Sequence, residues 1–165
     1  MEQLIVTPIR SWELMLGKTL PYLFVSAFNF LILIWLSRLL FGVTVAGNFW
    51  ILFGLSMVFV VGSLGMGVLI SNISQSQMQA MYISVFVVLI PAIILSGLMF
   101  SRENMPAFTF WYSEILPVTQ YLEITRGIIV RGVGPETLWW SSTFPLLVLS
   151  VIYFAASIVI FRKRI

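Results

Sequence analysis

Residues 20–41, "LPYLFVSAFNFLILIWLSRLLF", carry a single charge, Arg38. A bilayer core about 30 Å thick needs about 20 helical residues at about 1.5 Å rise each, so this stretch has the length and composition of a membrane span. Arg38 stands near its far end, where a long side chain can snorkel to the headgroups. Three further stretches repeat the pattern. Residues 49–70 hold no charge, residues 80–100 are also uncharged and contain Pro91, and residues 139–161 lead into the basic end "RKRI". A proline inside a span is tolerated where neighbouring helices satisfy the backbone that it frees. The expected fold is all-helical: a polytopic membrane protein with four transmembrane helices at 20–41, 49–70, 80–100 and 139–161.

The composition agrees. The 165 residues are 60% hydrophobic and 9% charged, with a mean hydropathy of +1.05, against about 25% charged in an ordinary globular domain. There is no Cys, His or Asp. That removes the usual thiolate and imidazole metal ligands, the Ser/His and Cys/His dyads and any aspartate pair, so catalytic residues and a metal site are not expected. The net charge of +3 comes from Lys and Arg at segment ends. It speaks of membrane orientation and not of a nucleic-acid surface. Arg162, Lys163 and Arg164 mark the C-terminus as cytoplasmic, and four spans return the N-terminus, with Arg10 and Lys18, to the same side.

Between spans the text changes. Ser71 to Gln79 is polar, uncharged and short, as a tight cytoplasmic turn would be. Residues 101–138 are too long for a turn. Phe108, Trp111, Tyr112 and Ile115 fall at i, i+3, i+4 and i+7, and beyond Pro117 the residues Val118, Tyr121, Leu122 and Ile129 repeat a similar stripe. Two short amphipathic helices meeting at Pro117 are expected. They lie at the outer surface or dip in as a re-entrant hairpin buried by protein. The opening segment, residues 1–19, is apolar with embedded charges. Thr7 and Pro8 form a helix start, after which Ile9, Trp12 and Leu16 share one face while Arg10 and Glu13 share another. A helix lying along the cytoplasmic interface before the first span is expected.

"GKT" at Gly17–Thr19 suggests a phosphate loop, but Trp12 stands where that motif needs a glycine, and the context is not a strand-to-helix loop. The spans carry no Asp, Glu, His or Lys, so no proton relay is visible in them. Energy for any movement of substrate must come from another subunit. Ser63 and Gly67 form a small-xxx-small pair, and Gly62 and Gly65 thin the same helix. The ordinary reading is helix packing, the sharper one a dimer or pathway interface. Glu123 and Arg126, at i, i+3, are either a local ion pair or the rim of an outer gate.

"MEQLIVTPIRSWELMLGKTLPYL" closely resembles the cytoplasmic segment of ABC-2 type permeases, the membrane subunits of ATP-binding-cassette exporters. Glu2, Leu4, Thr7, Pro8, Glu13, Gly17 and Lys18 carry the match. "LSGLMFSRENMP", "LPVTQYLEITRGIIVRG" and "FRKRI" resemble the same family's outer segment and C-terminus, although Ser101 stands where relatives often have proline. The resemblance implies a permease subunit of an exporter of drug-like or lipid-like compounds in the cell membrane. Its opening segment would be a coupling helix docking a separate cytoplasmic ATPase through Glu2, Leu4, Thr7, Pro8, Trp12, Glu13 and Lys18. The outer segment, with Trp111, Pro117, Glu123 and Arg126, would shape the outer gate. No cofactor is expected on this chain; ATP and Mg belong to the ATPase. The partners implied are that ATPase, a second permease copy as homodimer or heterodimer, and membrane lipid, with no nucleic acid. Such permeases usually have six spans, so the first two are expected to be missing here. An autonomous four-span carrier or channel and a non-transporting scaffold are the alternatives.

Overall fold

The structure, a computed structural model, describes residues 11–97 and 105–162. Every regular element among them is helical: α1 Ser11–Phe41, α2 Phe49–Ile73, α3 Gln77–Leu95, α4 Ala107–Glu114, α5 Pro117–Ile129, and α6, which begins at Pro135 and ends at Arg162. Four of these, α1, α2, α3 and α6, are long and apolar enough to cross a membrane.

The sequence boundaries shift at the start of α6, which begins at Pro135 and not at residue 139, and in three further places, each for a local reason. The expected bend between an interfacial helix and the first span is absent from the described residues. Helix α1 runs unbroken for 31 residues, with Pro21 inside it. That is about 46 Å, well beyond a hydrocarbon core of about 30 Å. One proline in the second or third turn removes one hydrogen bond, to the Gly17 carbonyl, and does not end the helix. The polar run at 71–79 is mostly helix too, because α2 continues to Ile73 and α3 starts at Gln77. Ser76 accepts the Gln79 N–H at 3.2 Å and the Gln79 side chain accepts the Gln75 N–H at 2.8 Å, close to a capping box. Third, α3 ends at Leu95 and not at residue 100, and Gly97 follows with φ +85°. Residues 98–104 lie outside the described part.

Helices α2 and α6 form the intimate pair. A Cβ on Gly62 would stand 2.5 Å from Ser150 Oγ, and one on Gly65 would stand 2.8 Å from the Phe154 backbone nitrogen. Lipid tails give apolar helices no hydrophobic reason to associate, so this contact depends on small residues that let backbones approach. Ser150 donates to the Val58 carbonyl at 3.1 Å and Asn72 to the Ser157 carbonyl at 3.4 Å. Helices α1 and α5 join at the end of the bundle that holds loop 42–48. There Phe30, Leu52, Ile124, Ile128 and Leu146 make one core. Gly42, with φ +64°, closes α1 by returning its N–H to the Arg38 carbonyl, and Asn48 caps α2 at the Trp50 N–H, 2.9 Å away.

Candidate functional site

Helices α4 and α5 are too short to cross a membrane, and the hairpin they form packs along α2 through α5. The last turn of α5 is at the loop end, where the Gly47 N–H donates to the Ile128 carbonyl at 3.0 Å. Lower on α5, the Tyr121 ring stacks on Phe59 with centroids 4.4 Å apart, and its hydroxyl meets Ser56 at 2.8 Å. At about 1.5 Å per residue, Ser56 is about 10 Å and Ser63 about 21 Å from the Phe49 end of a helix about 37 Å long. Leu116, Pro117 and Val118 share a groove with Ser63 and Gly67, so the tip of the α4–α5 hairpin reaches about half the depth of α2. Of the two placements the sequence allowed, packing against the middle of α2 is the geometry that the re-entrant one would have, with α5 buried by protein along Pro117, Thr119, Gln120, Ile124, Gly127 and Ile128.

Side-chain bonds to carbonyls add to this packing. Pro91 has no N–H, so the Val87 carbonyl loses its ordinary partner, and α3 widens into a π turn over Ser84–Leu89. The Tyr112 hydroxyl of α4 donates to that carbonyl at 2.7 Å. In α6 a π turn at Trp139–Thr143 likewise precedes a proline, Pro145. Tyr153 of α6 donates to the Ile115 carbonyl at the tip, 2.8 Å away, and Arg126 reaches the Gly97 carbonyl at 2.9 Å.

One acidic side chain is carried down with the tip. Glu114, the last residue of α4, is partly buried, and the Gln120 amide donates to both its carboxylate and its backbone carbonyl. Gln120 itself is fully buried, and its Oε1 has no hydrogen-bond partner. Thr119 Oγ1, Thr143 Oγ1 and Ser96 Oγ are further buried oxygens without one. Among the described residues, two apolar grooves stand out beside the bundle. One, of about 650 Å³, lies between α1, α2 and α6 with Phe24, Val61 and Phe154 on its walls. The other, of about 400 Å³, lies between α2, the π turn of α3 and the hairpin tip.

The residues singled out from sequence distribute as follows. Glu2, Leu4, Thr7 and Pro8 lie outside the described residues. Trp12 and Lys18 are on α1 with side chains outside the described part, while Glu13 is exposed in its first turn. Trp111 is exposed on α4, and Pro117 is buried as the first residue of α5. Glu123 is partly buried on α5 and Arg126 is exposed there. Ser63 and Gly67 line the 400 Å³ groove, and a Cβ on Gly67 would meet nothing within 4 Å. The hairpin tip thus brings Pro117 next to Ser63 and Gly67, while Arg126 stands a further two turns toward the loop end. Sequence reasoning missed Glu114 and Gln120. The available signal was a pair of polar residues bracketing Pro117, the position already expected to be a turn.

Among known proteins, the sequence matches the family described as ABC-2 type transporter over residues 1–130. It is 30% identical over its full length to the "Probable multidrug ABC transporter permease YbhR" of Escherichia coli K12, covering 44% of that protein. To the "Probable multidrug ABC transporter permease YbhS" of the same organism it is 32% identical over 161 residues, which is 98% of this chain and 40% of the relative. The "Inner membrane transport permease YhhJ" of that organism is 28% identical over 99% of the chain, which covers 44% of it. The chain spans less than half the length of these curated relatives. No solved structure matches it.

Proposed function

The chain belongs to the ABC-2 type transporter family and is a multi-pass membrane protein, and on that premise we propose that it forms part of the substrate pathway of an ATP-driven exporter. In this reading two permease copies, alike or different, pair in the cell membrane. A separate cytoplasmic ATPase binds ATP and Mg and drives them. Both termini of the chain face the cytoplasm, and the α4–α5 hairpin enters from the outer side as a gate. The cargo is drug-like or lipid-like, which suits the apolar walls of both grooves and the word multidrug in the names of two relatives.

The observation that carries the proposal is the continuity of α1. Its hydrophobic part begins at Thr19, yet the helix already runs from Ser11 with Glu13 exposed in its first turn. A rigid extension of about 12 Å ahead of Thr19 offers an ATPase something to push on. Glu2, Leu4, Thr7, Pro8, Trp12, Glu13 and Lys18 are the proposed docking set. Reconstituted with the partner ATPase, a Glu13→Lys variant is expected to insert normally and allow ATP hydrolysis while export falls at least about tenfold, a loss of about 1.4 kcal/mol in coupling. Unchanged export in that variant would remove the coupling role. Transport by the purified chain alone in liposomes would replace it with an autonomous carrier.

A further inference from the structure

We propose that the groove of about 400 Å³ between α2, the π turn of α3 and the hairpin tip binds a neutral amphiphile and holds one of its oxygens between the Ser63 and Ser84 hydroxyls.

Three observations meet at this groove. The first is that its hydroxyls are free. A serine inside a helix can donate to a carbonyl three or four residues back. Ser37, Ser56, Ser74 and Ser157 do so at 2.6–2.8 Å, and Ser150 donates across to α2. Ser63 and Ser84, both half-buried on the groove walls, have no side-chain hydrogen bond among the described residues. The second is their register. Helices α2 and α3 run back from the connection at 74–76, Ser63 ten residues before Ile73 and Ser84 seven after Gln77. At about 1.5 Å per residue the two serines stand about 15 Å and 10 Å from that connection, at nearly the same level on two walls. The third is the rest of the lining. Phe59, Met66, Val85, Val88 and Leu116 make it apolar, and no ionisable side chain stands among the lining residues. Gly67, one turn from Ser63, leaves room where a Cβ would meet nothing within 4 Å.

Small-molecule sites are apolar clefts of about 300–1,000 Å³ with a few polar groups that fix orientation, and this groove has that form. The π turn contributes to it, since it turns Ser84, Val85, Val88 and Leu89 to one wall. A lipid tail, or an apolar helix of a second copy, would fill the space and leave both hydroxyls unpaired in apolar surroundings. A charged ligand would lose its water and meet no counter-charge. A molecule with a carbonyl or hydroxyl oxygen on an apolar body meets both demands: the serines pair its oxygen and the walls cover the rest. The inference deepens the exporter reading by narrowing its cargo to neutral amphiphiles, and it rests on that reading for its purpose only.

The test uses the purified chain in lipid nanodiscs, without any ATPase, and benzophenone, a neutral diaryl ketone that inserts into nearby C–H bonds on irradiation. Labelling is expected to saturate and, read by mass spectrometry, to fall on Met66, Val85 and Val88. Diphenylmethane, the same body without the oxygen, is expected to compete at least about fivefold less well. Ser63→Ala and Ser84→Ala are each expected to weaken binding about three- to tenfold, the worth of one neutral hydrogen bond. Neither should move the unfolding midpoint, because neither hydroxyl holds the fold, and Ser71→Ala, exposed near the end of α2, leaves binding unchanged. Gly67→Leu, which fills the groove, is expected to abolish saturable labelling. Undiminished binding by the Ser63→Ala, Ser84→Ala double variant, or equal competition by diphenylmethane, overturns the proposal in favour of a purely apolar occupant such as a lipid tail. Absence of saturable labelling, in a chain whose dimer Gly67→Leu dissociates, overturns it in favour of a second copy. Because no ATPase is present, failure here leaves the Glu13→Lys experiment to judge the exporter reading separately.

Discussion

Helices α2 and α6 are locked backbone to backbone, whereas α3 meets the α4–α5 hairpin through side chains. In the first region Gly62 and Gly65 leave no room for a Cβ against Ser150 and Phe154. In the second, no residue of α3 is buried, and among its links to the hairpin are the Tyr112 hydroxyl on the Val87 carbonyl and, just past its end, the Arg126 guanidinium on the Gly97 carbonyl. Close packing sums many dispersion contacts and has no intermediate position. A hydroxyl on a carbonyl beside a π turn can exchange partners for a small cost, since interhelical hydrogen bonds in membranes average about 0.6 kcal/mol. The two regions of the molecule therefore differ in the kind of contact that holds them.

The comparison can be broken most severely at Gly65. Gly65→Leu should cost about 3 kcal/mol or more and separate α2 from α6, because the obstruction is backbone and cannot yield. Reversible unfolding in bicelles measures this, and a loss below about 1 kcal/mol would show that the pair is not tightly locked. Tyr121→Ala removes the ring stacked on Phe59 and the bond to Ser56, and should cost about 2 kcal/mol, releasing the hairpin while α2 and α6 stay paired. Cross-linking of cysteines placed at 47 and 128 reports that release. Tyr112→Phe should cost about 1 kcal/mol and act only on α3 and α4, seen as faster amide exchange in Ile90–Leu95. Exchange that rises equally in α2 would contradict the division. Gly67→Ala should change the stability of the chain by less than about 0.5 kcal/mol, because its Cβ enters open space. A large effect confined to dimerisation would show that a second copy fills that groove.

The four spans were legible because a run of about 20 apolar residues has few other uses. Pro117 was legible as a turn, since proline starts a helix more easily than it continues one. The depth of the hairpin was not. Hydropathy rewards long uniform stretches, and α4 and α5 have only 8 and 13 residues with charges among them. Glu114 and Glu123 therefore read as watered. What carries them inward is Tyr121, Tyr153 and the buried stripe of α5, contacts between residues dozens of positions apart that no local pattern encodes. Similarly, sequence spacing identified Gly62, Ser63, Gly65 and Gly67 as small without saying which pair faces a neighbour. In the structure Gly62 and Gly65 face α6, while Ser63 and Gly67 face the groove.

The re-entrant hairpin also constrains the order of biosynthesis. Its helices, about 12 Å and 20 Å long, are too short to be inserted as spans in their own right. They leave the ribosome before α6, whose Tyr153 holds Ile115 at the turning point. On the topology proposed above, the segment waits on the outer side of the membrane until α6 has been threaded, and only then sinks between its neighbours. A chain stopped short of residue 144 should insert its first three spans and leave α4 and α5 open to a protease added from that side.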